Sequence, residues 1–201
     1  MNYKDSRDAA WQILINHKVS ALPVKVKKIC VSEGIKVWTY AHGSKLIKQM
    51  GLEANAENND AFSIGRYIFY DDTKPPSRQR FSIAHEIGHI VLHNTNGATV
   101  LNREMSPNDD PLEREANVFA SRLLAPLCVL HFLNVRTPEE IAELCNISLI
   151  AAQIRFERLL RIRERDRDMC NKNGYGCFLL SHLERKVCAN FASYIEKNRR
   201  Y

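Results

Sequence analysis

A chain of 201 residues with 45% hydrophobic and 26% charged side chains has the balance of a soluble globular protein and enough length to bury a core. No stretch approaches the roughly 20 apolar residues of a membrane span, and the opening MNYKDSRDAAWQIL mixes acids and amides where a secretion signal needs an apolar run, so no membrane partner and a cytoplasmic setting are expected. The net charge of +6 permits an acidic or nucleic-acid partner, but its basic excess lies in Lys25, Lys27 and Lys28 and between Arg155 and Arg167, where solvated helix faces explain it better than direct contact with nucleic acid.

Residues 5–17 have helical periodicity, with Ala9, Ile13, Trp11 and Leu14 turned inward. The chain restarts at Leu22-Pro23-Val24. A second helix over 23–33 buries Val24, Ile29 and Val31 and stops at Gly34, a residue suited to the left-handed turn after a helix. Residues 35–40 alternate as a strand does, 44–50 form a short helix, and the ENND run turns the chain. AFSIGRYIFY at 61–70 is rich in aromatic and β-branched residues and reads as a strand or strand pair bent at Gly65.

After Pro75-Pro76, Ser77 is placed to cap a helix containing FSIAHEIGHIVLH at 81–93. Further helices are expected at 111–126, behind Asp110 as cap and Pro111 at the first position, and after the Thr137 capping box. Another runs from Ser148 through Arg167, and a last one over 179–197 has Leu183, Val187, Phe191 and Ile195 at four-residue steps. The six cysteines include no Cys-x-x-Cys pair. They are read as free thiols, and Cys170, Cys177 and Cys188 lack the paired short spacing of a zinc knuckle.

His85 and His89 are one turn apart, about 40° apart around a helix, so both imidazoles can meet one metal ion while Glu86 reaches a water there. Ile83, Ala84, Ile87, Ile90 and Val91 cover the opposite side, which buries the helix. Two histidines leave a catalytic zinc one ligand short. Three residues compete for the vacancy. His93 is eight residues from His85, roughly 12 Å along the axis, and is better placed beside the site or toward substrate. Glu113 would come from the next helix, with Asn117 one turn further on to accept the outer N–H of a ligating histidine. Glu113 also stands where a capping-box glutamate belongs, and Glu115 is the alternative.

The two blocks RQRFSIAHEIGHIVLH and EREANVFASRLLAP, in this order and at this separation, resemble the ImmA/IrrE family of gluzincin-type metallopeptidases. The likeness runs from about Leu22 through the helices after Pro126. It implies one zinc per chain on His85, His89 and Glu113, with Glu86 as catalytic base. It also implies a cytoplasmic endopeptidase that cuts a helix-turn-helix repressor and so derepresses mobile-element or stress genes. Asn117 stands where related zincins often carry Asp, and Ala125 where the family commonly has Met.

The expected fold is therefore α+β: a mostly helical, zincin-like domain with a small antiparallel or mixed sheet over 1–130, followed by a helical, helix-turn-helix-like region over 131–201 packed on it. His93, His131 and Tyr175 are candidates to stabilise the oxyanion. Two rival functions remain open. Residues 141–160 have the helix-turn-helix layout of a DNA-binding regulator, against which stand Asn146 at a turn position usually held by glycine and Arg155 and Arg158, read as simply facing solvent; or the zinc serves an interaction module without turnover, against which Glu86 argues.

Overall fold

The computed structural model describes residues 3–93, 110–173 and 180–200, and its sheet is built on the aromatic stretch at 61–70. That stretch is a hairpin. β2 (Ala61–Ile64) turns through Gly65, at φ +53, and returns antiparallel as β3 (Tyr67–Tyr70), with Phe62 opposite Phe69 and Ser63 opposite Ile68. β1 (Lys36–Thr39) adds in parallel on the other side of β3, so the order is β1-β3-β2 and β2 is an outer strand.

Strand alternation gives the sheet two different faces. Phe62, Ile64 and Phe69 form a small core with Ile47 and Leu52, beneath α3 (Tyr40–Gln49) and α4 (Glu53–Asn58). Ala61, Ile68 and Tyr70 belong to the main core on the opposite face, and Ser63 shares their side. α5 (Pro76–His93) lies against that face and carries the His85 to His89 segment.

α5 begins at Pro76 rather than behind Ser77. The N–H groups of Arg78 and Gln79 donate to the Pro75 carbonyl, which leaves Ser77 within the first turn and no part for it as a cap. α6 (Pro111–Leu124) starts as its sequence indicates: Asp110 accepts from the Leu112 N–H, and Pro111 takes the first position. The main contact in the fold is α5 on α6, where Ile83 and Ile87 share the core with fully buried Phe119 and Leu123. Burying a side chain of that size contributes about 2–3 kcal/mol. At Gly88 the helices meet so closely that a Cβ there would lie 3.2 Å from the Ala116 Cα.

α1 (Lys4–Asn16) packs on α6 and on the later helix His182–Asn190 and buries Trp11, Ile13 and Leu14, with Ala10 rather than Ala9 fully buried. α2 (Val26–Ser32) turns Val26, Ile29 and Cys30 inward at i, i+3 and i+4, a face that excludes Val31 and leaves it 77% exposed, while Val24 is buried ahead of the helix. α7 (Leu127–Phe132), α8 (Pro138–Cys145), α9 (Leu149–Asn173), α10 (His182–Asn190) and α11 (Ala192–Asn198) follow, and the main core extends through them to Phe191. The last helix expected from sequence is thus divided at Phe191. The stretch around Met105 and the positions of Tyr175, Cys177 and Leu179 lie outside the described residues.

α8 and α9 form the expected helix-turn-helix layout, joined through Asn146 in the left-handed conformation (φ 50) that asparagine tolerates. Arg155, however, does not face solvent. Its side chain is buried, and its Nε and Nη2 groups donate to the Ala125 carbonyl at the end of α6. Position along α9 decides this, since Arg155 lies on the same side as core residues Ala152 and Leu159. Arg158 is exposed as expected.

Candidate metal centre

The one-turn spacing on α5 brings the rings of His85 and His89 together edge to face, with their Nε2 atoms 2.9 Å apart. α6 crosses at this level, and its first turn brings Glu113 to them. The Glu113 Oε2 lies 3.2 Å from the His85 Nε2, and its Oε1 lies 3.3 Å from the His89 Nε2. All three side chains are buried, and among the described residues they form the one cluster whose ligand atoms could share an ion. The capping-box position does not use Glu113, because Asp110 caps α6 through Leu112 and the Glu113 carboxylate turns to the histidines instead.

Asn117, one turn further along α6, accepts a hydrogen bond from the Nδ1–H of His85 at 3.0 Å. A neutral imidazole that donates through Nδ1 carries its lone pair on Nε2. The His85 lone pair therefore points at another imidazole nitrogen and a carboxylate, a buried convergence of electron pairs that a cation relieves. Spacing agrees with chemistry: tetrahedral bonds of about 2.0–2.1 Å to zinc place neighbouring ligand atoms about 3.3 Å apart. The two nitrogens and the carboxylate thus fit a metal ion.

Glu86 is also buried and lies beside this cluster on α5. Its Oε2 accepts a hydrogen bond from the Ser63 hydroxyl at 2.7 Å, which ties the glutamate to the outer strand β2. Sequence reading missed Ser63. The signal was present, since strand alternation sets this hydroxyl among Ala61, Ile68 and Tyr70 on the face turned to α5.

His93 and Glu115 are not brought into the cluster. The His93 Nε2 lies 3.8 Å from a Glu115 carboxylate oxygen, one turn beyond His89. Burial, with the neighbouring His89 ring adding to it, pushes the His93 imidazole below its ordinary pKa range. Of the other expected oxyanion partners, His131 sits in α7 with its ring edge-on to Phe132, and Tyr175 lies outside the described residues.

The chain matches the Peptidase M78 family, the IrrE N-terminal-like domain, over residues 42–157, a span that takes in α5, α6 and the start of α9. No curated protein matches it.

Proposed function

Since the chain belongs to the IrrE N-terminal-like, Peptidase M78 family, we propose that it is a zinc-dependent endopeptidase with one zinc per chain, acting on a protein substrate. The observation that carries this reading is the buried convergence of His85, His89 and Glu113 with Glu86 beside them. In it, His85, His89 and Glu113 hold the metal, and Asn117 fixes the tautomer and orientation of His85. Zinc in such a site supplies Lewis acidity, which acidifies water and polarises a peptide carbonyl. Glu86 takes the proton of the attacking water and delivers it to the leaving amine. The Ser63 hydroxyl occupies the Glu86 Oε2 and so holds the carboxylate with its Oε1 available for that proton.

The same hydrogen bond sets Glu86 beside β2. An extended peptide added along this outer strand would pass the metal centre, and main-chain pairing would hold it with little demand on sequence. The likeness to ImmA/IrrE proteins suggests a helix-turn-helix repressor as substrate. No described helix is long and apolar enough to cross a membrane, and we take the site of action to be the cytoplasm. Direct readout of DNA by α9 is disfavoured: beside Gln153, the start of that helix exposes Leu149, Ile150 and Ile154, apolar groups that cannot hydrogen-bond base edges.

The test is to load the purified chain with zinc, incubate it with repressors encoded beside its gene, and identify fragments by mass spectrometry. Wild type should cut one of them, while Glu86→Gln should keep about one zinc per chain and cut none. Equal cleavage by both proteins would refute the role of Glu86. Loss of zinc in Glu86→Gln would recast it as a ligand.

A further inference from the structure

A groove of about 630 Å³ lies behind the metal centre, between the start of α5, the middle of α6 and the first turns of α9. Phe81 and Asn117 line its inner end. Because Asn117 meets His85 at Nδ1, the groove is on the far side of that ring from the Nε2 atom facing Glu113. Its outer wall is unusual for surface exposed to water. Ile150 and Ile154 are 72% and 64% exposed, one helical turn apart, and form an apolar stripe.

Beyond the stripe the groove is cationic, through Arg122, Arg155 and Arg158. The same three residues line a second cavity of about 400 Å³ next to Arg7. Other arginines nearby have partners: Arg7 pairs with Asp8, Arg78 with Asp60 and Arg161 with Glu157. Among the described residues no ion pair reaches Arg122, Arg155 or Arg158, and Glu184 is the one carboxylate whose charge acts on Arg122. Burial and then the charge of Arg122 push the Arg155 guanidinium down to about 9. A buried cation beside two like charges calls for negative charge from outside.

We propose that this groove docks an acidic amphipathic helix of a protein partner, its apolar side chains on Ile150 and Ile154 and its carboxylates on Arg122 and Arg158. Ile150, Ile154 and Arg158 follow at one-turn steps along α9, and Arg122 lines the same groove from α6, so one helix laid in it would meet apolar and cationic groups together. The docked helix reaches Asn117, and so sits against the residue that orients His85. Docking needs neither metal nor peptide cleavage.

The experiment uses the full chain and a fluorescent designed helix with leucines on one face and glutamates along its flanks, plus a twin with lysine at every glutamate. By anisotropy the acidic helix should bind at least about tenfold more tightly than its twin, and Ile150→Ser/Ile154→Ser and Arg158→Glu should each weaken it by about tenfold. All three positions are exposed, so thermal melts should stay at the wild-type value. Glu86→Gln should bind as wild type does, which separates this result from the fate of the peptidase reading. Equal binding of the two helices would overturn the proposal. So would displacement of the acidic helix by pyrophosphate or duplex DNA with affinity unchanged in the isoleucine variant, which would make the groove an anion site instead.

Discussion

Gly88→Ala tests whether the spacing of α5 and α6 sets the metal centre. The added methyl would lie 3.1 Å from the Phe119 Cδ1, 3.2 Å from the Ala116 Cα and 3.3 Å from the Ala116 carbonyl oxygen. Unstrained contacts start at about 3.5 Å, so α6 must retreat by a few tenths of an ångström, and two of the three obstacles are backbone that cannot rotate away. Ala116 is three residues beyond Glu113 on the same helix, so Glu113 retreats with it from histidine nitrogens now 3.2 and 3.3 Å away. Alanine recovers about 1 kcal/mol of helix propensity, while overpacking costs about 1–3 kcal/mol. The net loss is up to about 2 kcal/mol, or up to about 4–8 °C in melting temperature for a chain of this size.

Zinc affinity, measured by competition with a chromophoric chelator, should fall about tenfold, equivalent to about 1.4 kcal/mol. Gly43→Ala is the control. Its methyl would lie 2.5 Å from the Cε1 of buried Phe69 in the other core, lowering the melting temperature without touching zinc affinity. The reasoning fails if Gly88→Ala binds zinc as tightly as wild type, or if Gly43→Ala weakens zinc to the same extent.

Asn117→Leu removes the acceptor for the His85 Nδ1–H and should weaken zinc binding about 10–100-fold, read by the same competition; unchanged affinity would show that the hydrogen bond does not orient the ligand. Ser63→Ala should keep the full metal content yet lower kcat about tenfold, since Glu86 loses the group that positions it, and a wild-type kcat would dismiss Ser63 from the machinery. Burial pushes the thiols of Cys30 and Cys145 up to about 12, so almost no thiolate exists at neutral pH. Peptide mapping after iodoacetamide treatment at pH 8 should find both unmodified in the native chain and modified after denaturation. Rapid labelling of either in the native chain would contradict its burial.

Local pattern made much of this protein legible. Spacing alone placed His85 and His89 on one helical face, and Asp110-Pro111 marked the start of α6 because cap and proline chemistry act within a few residues. The aromatic run at 61–70 announced its hairpin, with Gly65 at the bend. Misreadings arose where the evidence was one side chain without its surroundings. Ser77 has the chemistry of a cap, yet Pro75 and Pro76 start the helix before it. Arg155 reads as a surface charge, yet its place between Ala152 and Leu159 turns it to the core and the Ala125 carbonyl.

The sequence by itself determined the elements and the chemistry they carry: the His-Glu-x-x-His turn, the apolar faces that bury it and the strands before it. Those follow from periodicity and caps, which are short-range. The tertiary structure decided which candidate completes the cluster, because the α5–α6 crossing brings Glu113 to the histidines and leaves Glu115 with His93. It also decided that Ser63 holds Glu86, and that Arg122, Arg155 and Arg158 gather beside exposed isoleucines. Such meetings depend on how helices cross and sheets face them, and residues distant in sequence carry no local mark of where they will converge.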